Sequence, residues 1–346
     1  MRQSHYTALL GLTICLMVGL ILFNGFGLKD NRNHQTSRLK HISERTEGYR
    51  HKMYDRYTKL TTNEADCGVL AAMTLGEKKA VSKDLRRVYA VTGAAHVLAL
   101  SGLHLSIIYM LLMRLTFNRQ RSILVQTFIL SFVWGYTLLT GLAISTVRSA
   151  IMLTIYSLLA IGGRRGHPLN VLALTALILV LMDSSVLYDI GFQLSFAAVL
   201  AIVLIMPIAD ELVGKKRLLR HPILKWIWEL VMVSVAAQIG VAPLLAFHFG
   251  TFSTYFLLTN FVAIPSVTVI LYLALVFWMT PFDIVGQLMV GVVHILNKVL
   301  AFVAQIPYSV IDGLHPSVMQ TFLVYVGIGC WYYAVHRFLQ KPQNVI

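Results

Sequence analysis

The sequence predicts an all-α polytopic integral membrane protein of about ten transmembrane helices, with a short extracytoplasmic segment and an interfacial amphipathic helix. Three observations predict it. The 346 residues are 57% hydrophobic and 13% charged, with a mean hydropathy of +0.70, far more apolar than a globular domain. Apolar stretches long enough to cross a bilayer core, about 20 helical residues for about 30 Å, recur with only short polar breaks between them. Lys and Arg, 29 against 15 Asp and Glu for a formal charge of +14, gather in those breaks, as they do in cytoplasmic loops. The same excess also suits a polyanionic substrate.

The first apolar stretch, residues 7–26, follows Arg2. It is longer than a secretory signal core and has no small-x-small cleavage site, so it reads as a retained helix. Residues 29–66 carry nine Lys/Arg and six Asp/Glu and form the only soluble-looking segment, near the lower size limit for independent folding. Next, Val81, Leu85, Val88 and Tyr89 recur at helical spacing, opposite Lys83, Asp84, Arg86 and Arg87, which describes an amphipathic helix lying along the membrane surface. The remaining apolar segments are 92–113, 122–142, 146–163, 168–183, 190–212, 226–248, 252–280, 284–304 and 317–337.

Basic clusters at Arg114/Arg119/Arg121, Arg164/Arg165, Lys215/Lys216/Arg217/Arg220/Lys225 and Arg337/Lys341 are separated by even numbers of crossings. All four can therefore share the cytoplasmic side, with both termini. The same topology places the basic segment 29–66 outside, against the positive-inside tendency. Later loops outvoting it, or a further re-entrant segment within 67–80, would each resolve that conflict.

Ionisable and polar groups in lipid are costly, so the exceptions carry information. Arg148 follows Ser145-Thr146 at a tight reversal between two helices. It either snorkels to the outer headgroups or offers a planar guanidinium to an internal polar path, where it suits phosphate. His96, Ser101, Gly102 and His104 fall within one otherwise apolar run. Ser101 and His104, three apart, share a helix face, while His96 and His104 lack the i, i+4 spacing of a metal pair. Each histidine reads either as an interhelical hydrogen-bonding group or as path lining. Gly102 permits close backbone approach or a helix break, which membranes tolerate only beside protein or water. Gln193 and Ser195 near the start of one helix, Gln238, Pro243, His248, Asn260 and Pro265 in two later ones, and Asn297-Lys298 in the penultimate one read singly as helix-helix contacts and jointly as a polar seam.

No Gly-rich phosphate loop ending in Gly-Lys-Ser/Thr and no His-Glu-x-x-His motif occurs. Cys15, Cys67 and Cys330 lie far apart, implying neither a disulfide framework nor a zinc site. No cofactor, metal or nucleotide hydrolysis is expected.

The run from Gly93 to His104 resembles the bacterial ComEC competence family of inner-membrane DNA-uptake channels. Leu75-Gly76-Glu77 with Leu85-Arg86 resembles its lead-in, and residues 145–152 resemble its Arg-Ala-x-x-Met helix start. Gly163-Arg164, the run from Gly191 to Phe196, and Asn260 with Pro265 follow in the family's order. The resemblance covers about residues 66–340. It divides the chain into an N-terminal transmembrane helix (1–28), a polar segment that is at most a remnant of the family's OB-type domain (29–66), a competence-type membrane channel domain (67–340) and a tail (341–346). The family's metallo-β-lactamase-like nuclease domain has no counterpart before Ile346.

The resemblance implies passage of single-stranded DNA into the cytoplasm, with His96, Ser101, Gly102, His104, Arg148, Gln193, Ser195, Asn260 and Pro265 along the path. It implies an extracytoplasmic DNA receptor, a cytoplasmic helicase-like ATPase and strand-binding proteins as partners, and is compatible with a separate nuclease and a homo-oligomeric state. The residues alone leave other readings open. Broken helices and polar midplane groups also suit a secondary transporter for a small anion, and Ser101 near His104 resembles an intramembrane serine protease, although one-turn spacing aims the two side by side. A scaffold without transport activity is a further reading.

Overall fold

The computed structural model describes residues 37–162, 167–213, 221–280 and 282–339, with side chains from residue 46 onward. The apolar stretch 7–26 and the basic residues Arg164, Arg165, Lys215, Lys216, Arg217, Arg220 and Lys341 lie outside the described residues.

The helices in chain order are α1 (Ser37–Leu60), α2 (Glu64–Leu75), α3 (Lys83–Val91), α4 (Ala95–Leu98), α5 (Gly102–Leu115), α6 (Ile123–Leu139), α7 (Ile144–Ile161) and α8 (Pro168–Met182). They continue with α9 (Ile190–Val213), α10 (Pro222–Phe249), α11 (Phe256–Met279), α12 (Asp283–Gln305) and α13 (Val318–Leu339). Short 3-10 turns occupy Lys78–Ala80 and Ser184–Tyr188. Two three-residue strands, β1 (Thr251–Ser253) and β2 (Val310–Asp312), pair antiparallel with Phe252 opposite Ile311. The apolar segment read from residue 252 thus begins as a strand, and its helix starts four residues later.

Helices α7, α9, α10, α11, α12 and α13 are long and apolar enough to cross a membrane, and α5, α6 and α8 are apolar but shorter. At 1.5 Å per residue, 14 to 17 residues extend about 21–25 Å, short of the roughly 30 Å hydrocarbon core. The chain is an all-α polytopic membrane protein; of the ten expected spans one, residues 7–26, lies outside the described residues, and among the described residues six helices have the length and composition to cross a membrane.

The chain divides into two compact units. The first contains residues up to Ala90, Ala94–Ile178 and Val262–Ala304. At its centre lies α2, in which every residue from Asp66 to Leu75 is buried. Asn63 starts it, its side chain accepting the Ala65 N–H at 3.0 Å. Gly76 ends it in the left-handed conformation, φ 78°, which a side chain would strain. Twelve residues cannot cross a bilayer, and a helix this short is tolerated at depth only when protein surrounds it. Here Val267, Ile270, Ala274 and Phe277 of α11 and Met289, Val293, Leu296 and Leu300 of α12 share its core.

The polar α1 is tied to this core near its C-terminal end. Tyr57 is fully buried, meets Thr74 Oγ1 at 3.0 Å, and accepts from Trp278 Nε1 at 2.9 Å. Arg56 lies 4.0 Å over the Phe277 ring and donates to the Thr280 carbonyl at 3.1 Å, where a cation suits a helix C-terminus.

Buried polar groups cost stability unless bonded, and α2 carries a carboxylate. Asp66, 2% exposed, accepts from Asn297 Nδ2 at 2.8 Å and meets His294 Nδ1 at 2.9 Å. Asn297 Oδ1 in turn accepts from Tyr89 of α3 at 2.7 Å. Asn297, which interrupts the apolar pattern of α12, thus links α12 to both α2 and α3.

The second unit comprises Val91–Gly93, Leu179–Phe261 and Gln305 onward. Its most extensive pairing joins α9 to α10. At Gly240 a Cβ would lie 2.5 Å from the Ala197 carbonyl oxygen and 2.7 Å from Ala201 Cβ, so the two helices meet backbone to backbone. Pro243 follows inside α10. Tyr325 of α13 donates to the Gly240 carbonyl at 2.8 Å, joining α13 to this stretch. Most of α13's large side chains, among them Met319, Phe322, Trp331 and Phe338, are exposed, as suits a lipid-facing helix.

Candidate functional site

The apolar segment read as 92–113 is two helices with a break between them. After α4 the chain passes through Ala99 in extended conformation, and Ser101, with φ −123° and ψ 171°, caps α5. Serine favours this position because its side chain competes with helical hydrogen bonding. The break changes the relation of Ser101 to His104. They do not share a helix face; instead the imidazole folds back over the cap.

The Ser101 backbone N–H lies 3.3 Å from His104 Nδ1, and Ser101 Oγ lies 3.0 Å from the same nitrogen. A backbone N–H can only donate, so Nδ1 accepts and a neutral ring carries its hydrogen on Nε2. The serine hydroxyl then also donates to Nδ1. His104 is fully buried, and its Nε2 finds no hydrogen-bond partner among the described residues.

The start of α7 packs onto this break. Ser145 Oγ donates to the Leu100 carbonyl at 2.5 Å, satisfying an acceptor that the interrupted helix leaves free. A Cβ on Gly102 would lie 2.5 Å from Ser149 Oγ, so the start of α5 and α7 are close neighbours here, and a larger residue would have to turn the serine hydroxyl aside. Between these two serines sits Arg148, only 4% exposed. A snorkelling arginine keeps its head in the interface; this one is enclosed in protein. Two sequence features more than forty residues apart thus meet in the first unit: the broken His96–His104 run and the Arg148 turn.

The other residues singled out lie elsewhere. Gln193 and Ser195 are in the first turns of α9. Gln193 Oε1 meets His248 Nε2 of α10 at 2.9 Å, and its Nε2 donates to the Leu187 carbonyl at 2.9 Å. Ser195 donates to the Phe192 carbonyl of its own helix at 3.2 Å. Asn260 Oδ1 is buried and without a hydrogen-bond partner among the described residues. Pro265, one turn further along α11, removes the N–H that would bond the Phe261 carbonyl.

Sequence reading missed the partners that complete the site. Ser145 and Ser149 stood within the 145–152 motif, but nothing in the sequence showed that they face the break before α5. Asp66 was counted with a polar segment, and no local pattern marked His294, which pairs with it across 228 positions. A second buried cluster also went unread: Tyr109 donates to Gln126 Oε1 at 3.2 Å and meets Ser157 Oγ at 3.3 Å. No group of three or more His, Cys, Asp or Glu side chains suited to a metal occurs among the described residues.

Residues 73–338 match the family described as Competence protein. The chain is similar to ComE operon protein 3 of Bacillus subtilis, 26% identical over 280 residues, a match covering 75% of this chain and 33% of that protein. It is also similar to Recombination protein 2 of Haemophilus influenzae, 26% identical over 211 residues, covering 57% of this chain and 26% of that protein. The chain therefore spans about a third or less of the length of these relatives. No solved structure matches it.

Proposed function

Because this chain belongs to the competence protein family, we propose that it takes part in DNA uptake during natural transformation, as an inner-membrane channel for a single strand. The observation that carries the proposal is the family match across residues 73–338. The broken helix and the enclosed Arg148 supply chemistry that fits it: a fixed guanidinium can hold a phosphate transiently where water is scarce. The strand crosses by way of His96, Ser101, Gly102, His104 and Arg148, with Gln193, Ser195, Asn260 and Pro265 as further path residues.

The role is transport rather than catalysis. Force comes from partners: a DNA receptor outside, and a helicase-like ATPase with strand-binding proteins inside. Loss of the chain should abolish transformants while DNA still reaches a nuclease-protected state outside the cytoplasm. Unchanged transformation in the deletion strain would end the proposal.

Both termini and the 215–225 loop are cytoplasmic in this reading, because the basic clusters agree on that side. Reporter fusions at Arg119, Lys216 and Gln340 are expected to report the cytoplasm. A periplasmic signal at Lys216 would reverse the assignment.

The 3.0 Å contact of Ser101 with His104 favours a second reading, intramembrane serine hydrolysis, since it meets the distance condition for an activated nucleophile. The same bond is explained by capping of α5. Ser101→Ala is therefore expected to retain more than about a tenth of activity, the loss of one cap being about 1 kcal/mol. Complete loss at normal abundance, together with labelling of Ser101 by a fluorophosphonate, would instead establish the hydrolase.

A further inference from the structure

Asn297-Lys298 interrupts the apolar pattern of α12, and only Asn297 is taken up by packing against α2 and α3. On this helix Gln287, Gly291, His294 and Lys298 fall within about 60° of one another around the axis. Gln287, Gly291 and Lys298 are exposed, and the His294 side chain is 44% exposed. The buried residues Met289, Val293, Leu296 and Leu300 lie on the opposite side. Leu288, Ile295 and Phe302, also exposed, form a second stripe beside the polar one. Helix α12 therefore shows its surroundings two different faces, one apolar and one polar.

Lipid suits the first face and not the second. At 1.5 Å per residue the 23 residues of α12 extend about 34 Å, little more than the roughly 30 Å core, so the middle residue, His294, lies near the midplane. Lys298 is about 6 Å further along, where an ammonium facing lipid is costly. The nearer interface lies toward Gln305, whereas helical side chains tilt toward the N-terminus, which aims Lys298 back to the midplane rather than outward to snorkel. His294 is anchored by Nδ1, which meets Oδ2 of the buried Asp66 at 2.9 Å, and this leaves its Nε2 edge on the exposed side. Among the described residues Lys298 has no ion-pair partner, and residues 1–29, outside that set, contain no Asp or Glu. Asp283, the acid on the same face, is the first residue of the helix, about 22 Å away. A cation at this depth with no acid beside it calls for water and a mobile anion.

We propose that the Gln287–Lys298 stripe of α12 lines a water-filled path, with Lys298 as a contact for the backbone phosphates of the single strand. The identity of the anion rests on the proposed channel function; the wet face rests on α12 itself. A lysine ammonium is a point charge on a flexible stem, suited to a phosphate that must be handed on. The stripe is about 16 Å long, far longer than one small anion, and Gln287 and His294 extend its polar edge along the strand.

The test uses the full chain with Cys15→Ala and Cys330→Ala in lipid nanodiscs, open to solvent on both sides, and a cationic water-soluble thiol reagent; Cys67 is buried. A Cβ at Gly291 meets nothing within 4 Å, so Gly291→Cys should fold as the parent does and react much faster than Ile295→Cys on the apolar stripe. A single-stranded oligonucleotide should slow that reaction. Lys298→Gln should weaken this protection about tenfold or more, the equivalent of one charge-assisted bond, and Lys298→Arg should keep it. Reaction of Gly291→Cys no faster than that of Ile295→Cys overturns the wet face and the proposal with it. So does an oligonucleotide that gives no protection, protection that survives Lys298→Gln, or equal protection by orthophosphate at the same phosphate concentration, since the ligand would then be a small anion. Transformation left unchanged by deletion of the chain would remove the channel function, while the nanodisc reactivities would still decide whether the stripe is wet and binds a strand.

Discussion

Arg148→Gln is expected to lower recovery of transformants about ten- to a hundredfold, the rate equivalent of one charge-assisted hydrogen bond of about 1.5–3 kcal/mol. The side chain is 4% exposed, between Ser145, whose bond to the Leu100 carbonyl fastens α7 to the break before α5, and Ser149, which lies beside Gly102. Glutamine keeps polarity and much of the volume but removes the charge. Protein abundance and the nuclease-protected pool of DNA should stay at wild-type levels, because neither requires passage through the membrane. Arg148→Lys should recover part of the activity, since charge survives and the planar fork does not. Equal transformation by the wild type and Arg148→Gln at matched abundance would remove Arg148 from the path. A parallel fall in abundance would assign it to folding instead.

How much of this was legible in the sequence depended on whether the signal was local. The later apolar helices are local: α9, α12 and α13 begin and end within two residues of the apolar runs at 190–212, 284–304 and 317–337. Gly102 offered either a close approach or a break, because the absence of a Cβ acts on neighbouring backbone, whereas the capping role of Ser101 was not read. What remained hidden was set by distant partners. A re-entrant segment within 67–80 was one alternative that the charges left open, but residues 64–75 have no amphipathic face, because protein surrounds α2 from Asp66 to Leu75, so periodicity could not place the helix. The pairing of β1 with β2 joins residues about sixty positions apart, and three-residue strands leave no pattern to find. The bend of His104 onto its own cap was misread as a shared helix face because the break shifts the geometry by which i, i+3 neighbours meet.

Gly240→Leu is expected to separate α9 from α10. A Cβ at this position would meet the Ala197 carbonyl oxygen at 2.5 Å and its carbon at 3.0 Å. Backbone atoms cannot rotate out of the way, as a flexible side chain could, so the helices themselves must part. Overpacking of this kind costs about 1–3 kcal/mol for added methylenes in a packed core, and a backbone clash falls at the upper end. Gly240→Ala should already lower the midpoint of thermal aggregation in detergent by several degrees, on the order of 2–4 °C per kcal/mol for a domain of this size. Gly240→Leu should lower it further and reduce the amount of chain inserted. Tyr325→Phe removes only the bond to the Gly240 carbonyl and should cost about 1 kcal/mol. Gly327→Leu and Gly291→Leu are the controls, since nothing lies within 4 Å of a Cβ at either position, and both should be nearly silent. The same α9–α10 pair holds Gln193 against His248, so Gly240→Ala should also reduce transformation if that contact belongs to the path. A Gly240→Leu chain as stable as the Gly327→Leu chain would mean that the close approach of these helices does not hold the second unit together.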